Sequence, residues 1–184
     1  MVIAAVGKNG TGKDFFLEYL AKTYALPMIS IGDVVRELAT NDGLELTRDN
    51  LHKTSQKYMS AHGHAFFPSQ ICEKVKASGE PNYLVSGIRP PSDVQVLKDA
   101  FGADFILVDV IISDDEVRYA RMAARGSARD NVGTDEFRRL DAQEESIFHT
   151  SKSEKMADVI LKNDGTAEDF FAAADAFYTE HIKK

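Results

Sequence analysis

A parallel β-sheet with helices on both faces, a three-layer α/β fold, is predicted by three features of this 184-residue sequence. Short apolar runs alternate with helical patterns along most of the chain. The first run, Val2 to Val6, leads straight into the glycine-rich stretch GKNGTGKD, Gly7 to Asp14, and a helical pattern opens directly after it. Two stretches, 33–80 and 126–150, break the alternation; both follow strand ends, where ligands sit in such sheets.

Each element has its own signal. Val2-Ile3-Ala4-Ala5-Val6 is apolar throughout, as a strand buried on both faces requires. Leu17, Leu20 and Tyr24 then recur at helical spacing. Pro27 to Ser30 reads as a second strand, Tyr83 to Ser86 as a third, Asp104 to Ile112 as a fourth and Asp158 to Leu161 as a fifth. Ser92-x-x-Gln95 is a capping-box pattern ahead of the stripe Val94, Leu97 and Phe101. Ser113-x-x-Glu116 is a second, opening the helix that carries Arg118, Arg121 and Arg125. The last helix is expected from about Thr166, with Phe170, Ala174 and Phe177 inward. One domain is predicted: a core of 1–32, 81–117 and 151–184, a lobe at 33–80, and a short mobile segment at 118–150.

Composition narrows the function. Hydrophobic residues are 43% and charged residues 28%, enough to bury a core in water. The net charge of −7 argues against a general nucleic-acid binder, which carries a basic excess, but leaves room for a local anion site. Cys72 is the single cysteine, so no intrachain disulfide forms and a reducing, cytoplasmic setting is expected. No apolar run approaches the ~20 residues of a membrane span. The strand pattern beginning at Val2 leaves no room for a charged signal-peptide head, so none is expected.

Gly7 to Asp14 fits the phosphate-binding pattern G-x-x-x-x-G-K-[ST] except at its last position. Glycines between a strand and a helix let backbone N–H groups turn inward around an anion, and the helix N-terminus adds its dipole. Gly7, Lys8, Asn9, Gly10, Thr11, Gly12 and Lys13 are the expected phosphate ligands, with Lys13 on the β/γ-phosphates. Where a metal-binding hydroxyl is expected the chain has Asp14, and where an acid should end the third strand it has Ser86 and Gly87. The two chemistries look exchanged: Asp14 is a hard-oxygen ligand for Mg²⁺. The bland alternative is that Asp14 caps the helix.

Several segments resemble the nucleoside monophosphate kinase-like branch of P-loop kinases, a group that includes adenylate kinase, dephospho-CoA kinase and an archaeal family of uncharacterised kinase-like proteins. SIGDVVRE, Ser30 to Glu37, resembles the opening of an acceptor-binding lobe. VSGIRPPSDV, Val85 to Val94, is similar to the D-G-x-R region with Ser86 in place of the acid. RYARMAARG, Arg118 to Gly126, resembles the arginine helix leading into a lid, and ADVILKNDG, Ala157 to Gly165, the loop beside adenine. The GKD ending is shared with phosphomevalonate and phage deoxynucleotide kinases. The resemblance implies a P-loop NTPase fold and transfer of the ATP γ-phosphate, with Mg²⁺, to a small phosphate-bearing, nucleotide-like acceptor. It assigns the acceptor to Asp33, Arg36 and Arg89, lid closure to Arg121 and Arg125, and the adenine loop to the segment containing Asn163. Phosphomevalonate is the alternative acceptor.

The same residues have plainer readings. Arginine forks suit phosphate, but Arg118, Arg121 and Arg125 at i, i+3 and i+7 also fit a solvated stripe. Asp33 suits an N-cap as well as an acceptor contact. Glu144 and Glu145 read as a solvated helix face, His62-Gly63-His64 as a turn, Cys72 as a core thiol, and Phe66-Phe67-Pro68 as an acceptor wall or a seat on the core. Two other functions compete: a nucleotide-dependent switch that engages a macromolecule, and a degenerate kinase that only binds or hydrolyses ATP. Monomer and homodimer both stay open.

Overall fold

Five consecutive apolar residues have no side to show to water, and Val2–Val6 forms β1 with every residue buried. The computed structural model describes residues 1–124 and 133–183, and within these β1 is the middle of a five-stranded sheet. The other strands are β2 (Met28–Ser30), β3 (Tyr83–Ser86), β4 (Phe105–Ile111) and β5 (Val159–Lys162), in the order β2-β3-β1-β4-β5. All pairings are parallel; Ala4 pairs with Val85 on one side and Val6 with Asp109 on the other. The strand order reverses at β1, so its C-terminal end opens on the crevice where such sheets take ligands.

One face of the sheet, carrying Ile3, Ala5, Val108 and Val110, packs on α1 (Lys13–Tyr24) and α9 (Ala167–His181). Phe16 of α1 meets Phe177 of α9 edge-on at 5.3 Å. Thr166 and Asp169 close a reciprocal cap at the start of α9, where the last helix is expected, and Phe170, Ala174 and Phe177 are buried. The opposite face packs on α2 (Ile31–Asn41), α4 (Phe66–Ser78) and α5 (Pro91–Phe101). Val34, Val35, Phe67, Ile71, Cys72 and Val75 join that core, so much of the 33–80 stretch is a core layer. Its outlying part is α3 (Arg48–His62), of which Thr54 is the buried residue. Gly63 ends α3, and Phe67 seats α4 on the sheet.

Three further helices lie beyond β4: α6 (Asp115–Ala124), α7 (Thr134–Phe148) and α8 (Thr150–Glu154). Tyr119, Met122 and Phe137 give α6 and α7 a small core of their own. Both serine capping boxes are corrected. Pro91 sits at N1 of α5 and starts the helix before Ser92 can cap it. Ser113 gives its backbone N–H and hydroxyl to Asp164, both at 2.7 Å, leaving Asp114 to accept from the Glu116 amide at the start of α6.

Candidate functional site

The glycine loop joins β1 to α1 at the crevice. Gly7, Gly10 and Gly12 have φ of 134°, 85° and 98°, a region L side chains avoid. At Gly7 a Cβ would lie 2.4 Å from the Val110 carbonyl oxygen, and at Gly12 2.6 Å from Nδ2 of Asn163. The first contact is with backbone, so no side-chain shift relieves it. Thr11 is buried, and its hydroxyl donates to the Lys8 carbonyl at 3.0 Å, tightening the turn. Lys13 Nζ also reaches the Lys8 carbonyl, at 3.5 Å, which holds the ammonium over the loop. Gly12 is the N-cap of α1 and supplies no side-chain acceptor, so the first turn offers amides to an anion. Asp14 is exposed one residue inside that turn; it is not the cap.

Asn163 and the arginines hold this loop from outside. Asn163 Nδ2 donates to the Thr11 carbonyl at 2.8 Å. Arg121 Nη1 donates to the Asn163 carbonyl and Nη2 to the Gly165 carbonyl, both at 2.7 Å. The Asn163 side chain is thus a brace for the loop, and Arg121 fixes the 163–165 turn. Arg118 is fully buried: Nη1 donates to the Asn9 carbonyl at 2.7 Å, Nε to Asp115 at 2.9 Å, and Nη2 to Asp141. The solvated-stripe reading is therefore overturned for Arg118. Arg125 lies outside the described residues.

On the acceptor side, Ser30 is the N-cap of α2 and Asp33 is its reciprocal partner, not the cap itself. Asp33 Oδ1 also takes Nη2 of Arg36 at 2.6 Å. Arg89 donates to Glu144 Oε1 at 2.9 Å and lies over the Phe148 ring. Glu144 accepts from the Asn9 side chain as well, so one carboxylate of α7 joins the phosphate loop to Arg89.

Glu144 and Glu145 are therefore not a solvated face, because α7 returns across the loop. Thr150 Oγ1, Ser151 N and Ser151 Oγ all donate to Glu145. The Ser151 hydroxyl, its amide and the Thr150 hydroxyl lower Glu145 to about 2. Beneath α7 lies a cavity of ≈ 310 Å³ lined in part by Lys8, Asp141, Glu144, Glu145 and Glu154.

Residues 6–138 match the AAA domain family. A UPF0200 protein of Thermococcus gammatolerans is 30% identical over 172 residues, 92% of this chain and 90% of that one. The chain belongs to the UPF0200 family. The UPF0200/UPF0201 protein of Archaeoglobus fulgidus is 35% identical over 171 residues; that match covers 92% of the UPF0200 chain described here and 52% of its relative, about half the relative's length. Among solved structures, a gluconokinase from Sinorhizobium meliloti superposes with a TM-score of 0.60 at 16% identity, covering 99% and 93% of the two chains. A shikimate kinase from Bacteroides thetaiotaomicron gives 0.58 at 15%, covering 98% and 97%. At such identities the likeness is one of fold: the UPF0200 chain has the P-loop, kinase-like α/β architecture.

Sequence reading of the UPF0200 chain missed Asp109. It is 7% exposed, and its Oδ1 has no hydrogen-bond partner among the described residues. Burial, and after it the nearby Glu154 carboxylate, push it up to about 7. Its signal was present: one acid inside the apolar run FILVDVI. The roles of Asp141 and Glu144 had no comparable signal, since acids in a polar helix are ordinary. No set of three His, Cys, Asp or Glu poised for a metal occurs among the described residues. Mg²⁺ bound with phosphate does not need one, because it is commonly held by one or two carboxylates plus phosphate oxygens.

Proposed function

We propose that the UPF0200 chain is an ATP-dependent phosphotransferase acting on a small, phosphate-bearing, nucleotide-like acceptor. The observation that carries this reading is the cradle at the sheet's reversal point: three positive-φ glycines, the uncapped N-terminus of α1, and Lys13 held over the loop. The loop amides and Lys13 bind the β- and γ-phosphates and hold the γ-phosphorus in line for an acceptor oxygen. Mg²⁺, when bound, supplies charge neutralisation between the phosphates, and the exposed Asp14 and buried Asp109 are hard-oxygen groups suited to it.

Arg89 grips acceptor or transferring phosphate once Glu144 releases it, and Arg36 serves the acceptor side after parting from Asp33. Arg121 acts by positioning the 163–165 turn beside the loop. Tighter seating of α7, whose Glu144 already reaches the phosphate loop, excludes water and suppresses idle hydrolysis of ATP.

The test is an ATP-consumption screen over nucleoside monophosphates, deoxynucleotides, dephospho-CoA and phosphorylated alcohols, run on wild type, Lys13→Ala and Arg89→Ala. Lys13→Ala is expected to lower turnover by roughly 10²–10³-fold, as loss of an electrostatic clamp does. Arg89→Ala is expected to weaken acceptor affinity. Unchanged turnover in Lys13→Ala removes the phosphate-loop reading. Preference for an acceptor without phosphate, with no loss in Arg89→Ala, removes the acceptor assignment.

A further inference from the structure

The strand-end acid that β3 lacks is present across the sheet. Ser86 ends β3 and Gly87 follows it, neither able to bind a cation through a carboxylate. Val85 pairs with Ala4, and Asp109 of β4 pairs with Val6, so along β1 Asp109 stands level with Gly87, just past Ser86. Asp109 therefore occupies the height at which a strand-end acid is expected, on the opposite neighbour of β1.

Its side chain lies at the base of the phosphate loop. Oδ1 is 3.3 Å from the point where a Cβ on Gly7 would stand, and Thr11 Oγ1 is 3.0 Å from the same point. That oxygen is buried and makes no hydrogen bond among the described residues. Two cations at the loop are paired with other acids: Lys8 with Asp115 at 3.0 Å, and Arg118 with Asp115 and Asp141. The neighbour that acts on Asp109 is a second acid, Glu154 of α8, close enough to repel it. Glu154 in turn feels the charges of Lys8 and Lys13. A buried carboxylate without a hydrogen bond is costly unless something compensates it. A buried carboxylate at the base of a phosphate cradle, with a second acid close enough to act on it, is what a divalent cation with phosphate oxygens would complete.

We propose that Asp109, with Glu154, is the floor of the divalent-cation site that accompanies the nucleotide, taking the place of the acid missing from β3. The inference rests on the nucleotide-binding part of the proposed function and adds to it the residues that make binding metal-dependent. Asp14, exposed in the first turn of α1, would be a further hard-oxygen ligand, and Asp109 would hold the cation from the sheet. Without metal, Asp109 and Glu154 repel incoming phosphate; with metal, they favour it.

The experiment is calorimetric titration of the full chain with ATP, once with Mg²⁺ and once with EDTA, for wild type, Asp109→Asn and Glu154→Gln. Asn matches Asp in size and keeps the fold, so the unliganded melting temperature of Asp109→Asn should be no lower than wild type. Wild type is expected to bind ATP far better with Mg²⁺. Asp109→Asn should bind ATP in EDTA at least as tightly as wild type and should lose about tenfold or more of the Mg²⁺-dependent gain. Glu154→Gln should lose part of that gain. A wild-type-sized gain in Asp109→Asn overturns the inference and leaves the nucleotide reading standing. Equal loss of binding with and without metal, or a lowered melting temperature, makes Asp109 a structural residue and also overturns it. An unchanged gain in Glu154→Gln overturns the pairing. Failure of wild type to bind ATP under either condition instead fells the reading beneath it.

Discussion

A single carboxylate can report on this protein through pH. Asp93, in the first turn of α5, is buried, and burial raises it to about 7 against a hydrogen bond from the Arg89 amide. An acid whose folded pKa lies above its unfolded value holds its proton more tightly when folded. Below the ordinary value of 3.8 both states are protonated and Asp93 is neutral in its effect. As pH rises from there toward 7 the unfolded state ionises first, stability falls, and above 7 the loss is constant. Asp93→Asn is therefore expected to leave the melting temperature unchanged near the bottom of this window and raise it above the top; an equal effect at both ends refutes the linkage. Glu144 offers a second residue-scale test. Its carboxylate occupies both Asn9 and Arg89, two groups assigned here to phosphate. Glu144→Gln removes a negative charge from the place an anion must enter and is expected to tighten ATP or acceptor binding several-fold. Weaker binding in a titration makes Glu144 a ligand-positioning group instead.

At the scale of elements, α6 is the strut of the site. Its Arg118 ties the loop backbone at Asn9 to Asp141 of α7, while Arg121 ties the turn after β5 to α6. Removing one partner of a buried charge pair leaves the other uncompensated. Arg118→Met should therefore destabilise the fold by about 3–5 kcal/mol, and Arg118→Met with Asp141→Leu should recover much of it. Urea unfolding of the two variants decides this; no recovery in the double variant shows that the contact with Asn9 matters more than the charge pair. Arg121 is half-way between structure and site. Arg121→Ala is expected to raise the KM for ATP more than it lowers kcat, as loss of a positioning contact does. A kcat loss with unchanged KM returns Arg121 to the lid role that the arginine helix resembles.

The whole molecule links ligand to stability, because the loop, β4, α6 and the 163–165 turn meet in one place. A ligand that binds only the folded chain stabilises it by about 2.7 kcal/mol at a hundredfold excess over Kd. For a chain of this size that is roughly 5–10 °C in melting temperature. Mg²⁺ with ATP should produce such a shift in wild type and little in Lys13→Ala. A full shift in the variant places ATP elsewhere on the fold.

The sequence by itself determined the alternating parallel architecture, the five strands, and the glycine cradle. These are local: a short, largely apolar run makes a strand, buried on both faces where it is apolar throughout as at Val2–Val6, and glycines between strand and helix make an anion nest wherever the chain folds. Helix starts were less legible, as Ser92 and Ser113 show. There a neighbouring proline and a distant Asp164 decided which backbone groups needed a partner. Only the tertiary structure decided what the charged side chains do. Arg118, Asp141, Glu144 and Asp109 come from α6, α7 and β4, far from the loop in sequence. A charge has no fixed role until folding chooses its partners and removes its water. That choice made Arg118 a buried tie, joined Glu144 to the phosphate loop, and left Asp109 Oδ1 buried beside the cradle without a hydrogen bond among the described residues.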